Sequence, residues 1–141
     1  MHVFRSWLLI AGLATALAVA DTALNPRART VVLTGGPPDE ITLIAARAHH
    51  GPLLWIDARS DAEFSRDHIP EALPLTAEHW DAQVTQVLQS WQPGTRVIVY
   101  CSQSGCGASR NAADRLRREY QLTDVWVLRD GWGAWQKAVA K

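Results

Sequence analysis

The residues best suited to chemistry lie in one short run, Val97-Ile98-Val99-Tyr100-Cys101-Ser102-Gln103-Ser104-Gly105-Cys106-Gly107-Ala108-Ser109-Arg110. An apolar segment stops at a thiol, and small residues follow. Val97 to Tyr100 are β-branched or aromatic, as a strand favours, while Ser102, Ser104, Gly105 and Gly107 let the backbone after Cys101 turn back on itself. A loop of that kind aims several N–H groups at one anion. Ser109 is placed to cap a helix starting near Arg110, so the positive end of that helix would face the loop and favour a thiolate at Cys101 or a bound oxyanion. Cys101 is therefore the candidate nucleophile, and Ser102, Gln103, Ser104, Gly105, Gly107, Ala108 and Ser109 form the candidate active-site loop. Arg110 is the nearest cation to that loop and a candidate anion ligand.

The chain has a second thiol, Cys106, and no third. Its separation from Cys101 suits a disulfide or a resolving partner. A metal site is disfavoured, since two thiols make at most half of a tetrahedral zinc site and no Cys-x-x-Cys or paired-histidine motif completes it. No motif calls for an organic cofactor. Phosphatase chemistry on a Cys-x5-Arg loop is disfavoured, because neither cysteine has arginine six residues later.

The elements that must position Cys101 read as alternating strands and helices. Asp39 to Ala48 has a helical period, with Ile41, Ile44, Ala45 and Ala48 on one face, and Gly51-Pro52 ends it. Leu53 to Ile56 is apolar at every position, as in a strand covered on both faces. Asp57-Ala58-Arg59 follows at its tip, where Asp57 and Arg59 are expected to pair and support the loop, or Arg59 to face an anionic substrate. Ser60-Asp61-Ala62-Glu63 is a capping-box pattern that carries Phe64 inward. Ala72 to Leu75 reads as a short strand and Trp80 to Trp91 as a helix packed through Val84, Val87 and Leu88. After the cysteine loop, Ala112, Ala113, Leu116 and Tyr120 form a helical stripe. Val125 to Leu128 is a further buried strand, and Asp130-Gly131 turns into a last helix, Trp132 to Ala140, expected to pack Trp132, Trp135 and Val139. This alternation predicts an α/β domain with a largely parallel central sheet flanked by helices. Ligand sites in such sheets lie beyond the carboxyl ends of the strands, where Asp57, Arg59 and Cys101 all fall.

Residues 1–24 differ from the rest. His2 and Arg5 precede the apolar stretch Trp7 to Ala20, and Ala18-Val19-Ala20 is a small-x-small pattern. This reads as a signal peptide or a membrane anchor, so the domain is expected to be exported, on the periplasmic or extracytoplasmic side. Residues 25–38, rich in Pro, Gly and Thr, read as a linker, and 39–141 as the folded domain. Fourteen basic and fourteen acidic residues give no net charge, which argues against nucleic acid as a partner and leaves membrane association to the N-terminal segment alone.

Three segments together resemble the rhodanese-like family. Asp57-Ala58-Arg59, Glu63-Phe64 and His68-Ile69-Pro70-Glu71-Ala72 are similar to its D-x-R, E-[FY] and H-I-P-G-A signature, with Glu71 in place of the usual glycine. Val97 to Cys101 is similar to the strand ending in the family's cysteine, and Val125 to Leu128 with Asp130-Gly131-Trp132 and Trp135 to its closing V-x-V-L-x-G-G-x-x-x-W. The resemblance implies a three-layer domain and sulfur transfer, in which Cys101 takes a sulfane sulfur as a persulfide and hands it to a thiol or other small nucleophile. The loop departs from the family pattern. It is about two positions longer, carries a second thiol in a Cys-x4-Cys arrangement, and has no cation, which weakens the expectation of thiosulfate as substrate. Two other roles stay open: a thiol–disulfide redox protein or sensor using Cys101 and Cys106, and a catalytically silent binding module at the envelope.

Overall fold

The computed structural model describes residues 39–103 and 107–140. Residues 1–38, where a signal or anchor and a linker are expected, and Ser104, Gly105 and Cys106 of the loop lie outside the described residues. In chain order the elements are β1 (Glu40–Ile41), α1 (Leu43–Arg47), β2 (Leu53–Asp57), α2 (Asp61–Arg66), β3 (Leu73–Pro74), α3 (Trp80–Ser90), β4 (Arg96–Tyr100), α4 (Gly107–Tyr120), β5 (Val125–Leu128) and α5 (Gly131–Val139).

The strands form one parallel sheet in the order β1-β5-β4-β2-β3. The three strands whose sequences are apolar on both faces take its centre, and the two-residue strands take its edges. Alternation along each strand divides the core in two. Leu54, Ile56, Val97, Val99, Val125 and Val127 pack under α3 and α4. Trp55, Ile98, Tyr100, Trp126 and Leu128 face the other way, with Leu43 and Ala46 of α1, Phe64 of α2 and Trp132 and Trp135 of α5. The register sets Asp57 beside Tyr100. Chain arriving from β2 and chain arriving from β4 thus leave the sheet at the same level.

Four local expectations are corrected. Residues Glu40 and Ile41 are a strand and not the start of a helix, because Val127 N–H donates to Asp39 O at 2.9 Å and Arg129 N–H to Ile41 O at 2.9 Å; pairing with β5 overrides the helical period. The helix begins only after Thr42, whose hydroxyl accepts from Ala45 N–H. Its buried face is consequently Leu43 and Ala46, and Ile44, expected inside, is 83% exposed. Helix α4 begins at Gly107, so Ser109 lies within its first turn, buried, and is not its cap. Finally, α5 docks through its first half, with Trp135 edge-on to Trp55 at 6.0 Å, leaving Val139 60% exposed.

Candidate active site

The site starts from the tip of β2. Asp57 is wholly buried, and Arg59 holds its carboxylate, donating Nε to Oδ1 at 2.9 Å, Nη2 to Oδ2 at 2.6 Å, and its backbone N–H to Oδ1 at 2.9 Å, with the Tyr100 hydroxyl a second hydrogen-bond partner. Arg59 Nη2 also donates to Asp67 O at 2.7 Å. The guanidinium lies 4.5 Å from the ring centre of Trp132 and 5.5 Å from that of Tyr100. Burial alone would lower its pKa, but the hydrogen bonds and charge of Asp57 outweigh that and hold it above the ordinary value. Arg59 is thus committed to the protein as a buttress. It clamps β2 to the segment after α2 and lies against the aromatic ring of α5.

Tyr100, the last residue of β4, completes this floor. Its hydroxyl accepts from Ile69 N–H at 3.2 Å, and burial raises its pKa well above the usual phenol. His68, beside Ile69, is occupied as well, with Nδ1 2.9 Å from Phe64 O and its ring stacked on Phe64 at 4.0 Å.

Cys101 follows directly, 95% buried, in the bend beyond β4. Main-chain contacts place it. Ala58 N–H donates to Tyr100 O at 2.9 Å, and Trp132 N–H donates to Cys101 O at 2.7 Å. The second contact requires a close approach at Gly131, whose φ is +47° and where an added Cβ would stand 2.1 Å from Cys101 O. Only glycine fits there. Cys101 is disulfide-bonded, and the sequence offers Cys106 as its one partner.

Ser102 Oγ donates to Glu63 Oε1 at 2.8 Å, while Ser60 Oγ donates to Glu63 Oε2 at 2.8 Å. The capping box that begins α2 therefore also ties down the residue after Cys101. Those hydroxyls, Ser60 first and then Ser102, hold the Glu63 carboxyl below its ordinary pKa. Gln103 is exposed, as are Gly107 and Ala108 at the start of α4. Beside Ala108 a cavity of about 60 Å³ is lined by Ala58, Trp80, Asn111 and Arg115, among others. Arg110 points to the sheet edge, where Glu40 holds its guanidinium and Asp39 lies 3.7 Å away.

Sequence alone does not mark Glu63, Gly131, Tyr100 and Trp132 as site residues. Each carries a local signal: Glu63 occupies the capping-box position, Tyr100 precedes the cysteine, and Gly131-Trp132 opens the last helix. Each was legible as local structure, but its reach to the Cys101 segment depends on the fold. No group of His, Cys, Asp and Glu suited to a metal ion occurs among the described residues.

A parallel α/β domain with a cysteine at the tip of its middle strand, braced by a buried Asp–Arg pair, defines the class. The chain belongs to the Rhodanese-like domain family, which matches residues 41–138. Similar solved structures include the BH2092 protein of Bacillus halodurans, 18% identical with a TM-score of 0.56 over 71% of this chain and 72% of that one. A rhodanese-related protein of Thermoplasma volcanium is 12% identical, with a TM-score of 0.52 over 70% and 91%. A thiosulfate sulfurtransferase of Pseudomonas aeruginosa is 22% identical, with a TM-score of 0.55 over 72% of this chain and 18% of its own. At these identities the likeness is one of fold. No curated protein sequence matches the chain.

Proposed function

We propose that this protein is a sulfurtransferase that carries sulfane sulfur as a persulfide on Cys101. The observation that carries the reading is the placement of Cys101: it follows directly on the C-terminal end of β4 in a parallel sheet, level with the tip of β2, with its carbonyl clamped by Trp132 N–H. Membership of the Rhodanese-like domain family supports it. In the transfer, the Cys101 thiolate attacks the terminal sulfur of a donor, an S–S bond forms, and the donor remainder leaves with the electron pair. An acceptor thiolate then attacks that outer sulfur and returns Cys101 to thiolate. The partners are a small sulfur carrier and a thiol acceptor.

The disulfide at Cys101 favours a second reading, in which the protein cycles between dithiol and disulfide with a thiol partner. Persulfide chemistry requires that a thiol reductant open this bond first. Intact mass spectrometry separates the two. The reduced full chain is treated with a sulfane donor beside Cys101→Ser and Cys106→Ser. A gain of about one sulfur that needs Cys101 supports transfer. A change limited to loss of about two hydrogens, needing both cysteines under every donor, moves the redox reading to first place.

The apolar run Trp7 to Ala20 supports export to the extracytoplasmic side, by cleaved signal or by anchor, with the domain from Asp39 onward outside. An oxidising compartment is also one in which a Cys101 disulfide persists.

A further inference from the structure

The cations of the domain are distributed unevenly. Arg59, Arg96, Arg110, Arg115, Arg117 and Arg129 each lie against a carboxylate. Arg66 and Arg118 stand on α2 and α4, helices that carry Asp61 and Glu63, and Asp114 and Glu119. Helices α1 and α5 contain no acidic residue at all. Their cations, Arg47 and Lys137, are exposed and have no carboxylate partner among the described residues. Arg47 lies 4.5 Å from the ring centre of Trp135, so the two helices share one face.

That face also bears the exposed large apolar side chains of the described residues, Ile44 at 83% and Val139 at 60%. Between them is an open depression of about 710 Å³, walled largely by Leu43, Ile44, Ala134 and Ala138, with Lys137 on its lining and Asp130 as its only acid. Protruding apolar groups flanked by cations suit the headgroup region of a bilayer that carries anionic lipid. They suit a second copy poorly, because a twofold contact would bring Arg47 and Lys137 against their own counterparts with Asp130 alone to answer them. Residues 1–38, with the apolar run Trp7 to Ala20, join the domain at Asp39, three positions before Thr42 on the rim of the depression.

We propose that the α1–α5 face docks onto an anionic phospholipid bilayer, with Ile44 and Val139 entering the headgroup region and Arg47 and Lys137 meeting lipid phosphates. The proposal rests on the export reading for the presence of a bilayer and is independent of sulfur transfer. Trp132 N–H holds the Cys101 carbonyl at the opposite end of α5 from Val139, roughly 10 Å of helix away. Docking would thus fix the orientation of the Cys101 tip relative to the membrane without using the residues that place it.

Methyl NMR of the full chain tests this, with lipid nanodiscs bearing a gadolinium chelate on a small share of the headgroups. The discs contain phosphatidylcholine alone or with about one third phosphatidylglycerol. Ile44 and Val139 report the face, and Ile56 and Ile98, buried in the central strands, are internal references. Retention of the chain on the discs reports the N-terminal segment. The broadening of Ile44 relative to Ile56 reports the face, whether the chain is retained or discs are added in excess.

In the anionic discs Ile44 and Val139 should broaden several-fold more than the references. Arg47→Gln and Lys137→Gln should each lower the docked-to-undocked ratio about fivefold, and added salt should lower it as well. Both substitutions are at exposed positions and leave the fold intact, which the reference methyl shifts verify. Broadening that is equal at Ile44 and Ile56, or that is unchanged by phosphatidylglycerol and by both substitutions, overturns the docking. Ile44 and Val139 shifts that depend on protein concentration without lipid, and that added discs leave unchanged, overturn it in favour of a second copy. A chain that is not retained, yet whose Ile44 broadens selectively with excess anionic discs, supports the face and overturns only the anchor.

Discussion

The two strand tips that meet at the site are held in opposite ways. At the end of β2, a buried carboxylate and a buried guanidinium are paired, and the guanidinium adds a backbone carbonyl and an aromatic face. At the end of β4, Cys101 is placed by main-chain contacts and a close-packed glycine, and the next residue by one hydroxyl–carboxylate bond at the surface. The first arrangement is all or nothing, since removing either partner strands a charge in the interior. The second can be altered piece by piece. Scaffold and chemistry thus sit side by side on neighbouring strands yet depend on different forces, and substitutions should separate them.

The largest effect belongs to β2. Asp57→Ala leaves Arg59 buried without its counter-ion and is expected to cost about 3–5 kcal/mol, a large share of the roughly 5–15 kcal/mol that holds an ordinary domain together. Urea denaturation followed by tryptophan fluorescence measures it. A loss below about 1 kcal/mol would mean that the pair is replaceable and that the contrast between the two tips is false.

A smaller but sharper effect is expected at the glycine that clamps β4. Gly131→Ala meets Cys101 O at 2.1 Å with φ at +47°, and should cost about 2–3 kcal/mol while displacing the cysteine. Gly133, two residues on, has open space at its Cβ and lies inside α5. Gly133→Ala should therefore stabilise by about 0.5–1 kcal/mol. Parallel melting curves of the two variants settle whether the contact with Cys101, and not helix propensity, dictates Gly131.

The same contrast explains what the sequence could reveal. The apolar strands, the capping box of α2 and the Asp57–Arg59 spacing are local patterns, and each is legible because residues near in sequence make the contacts. Cys101 is legible for a similar reason, as a thiol between an apolar run and small residues. The two-residue strand β1 is not, because its only reason to be extended is β5, more than eighty residues away in the chain. Ile44 and Val139 carry an apolar signal without a partner among the described elements to receive them. Glu63 reads as a cap from sequence, and only the parallel register that levels β2 with β4 brings Ser102 within its reach.

The smallest effect tests whether the surface bond at β4 exists in solution. The Glu63 carboxyl is held below its ordinary pKa of 4.5 first by Ser60 and then by Ser102. A lowered folded-state pKa means that the stabilisation is fully present above the unfolded value and fades as the pH falls through the folded one, so the window lies on the acid side. Because the carboxylate is exposed, the contribution is only a few tenths of a kcal/mol, and the titration itself is the better measurement. Carboxyl-detected NMR of Glu63 should show its pKa rise in both Ser60→Ala and Ser102→Ala, more in the former, which also loses about 1 kcal/mol with the cap. Ser102→Ala should leave overall stability almost unchanged. If it also leaves the Glu63 titration unchanged, then the residue after Cys101 is not tied to α2. The tip of β4 would then be positioned by its main chain alone.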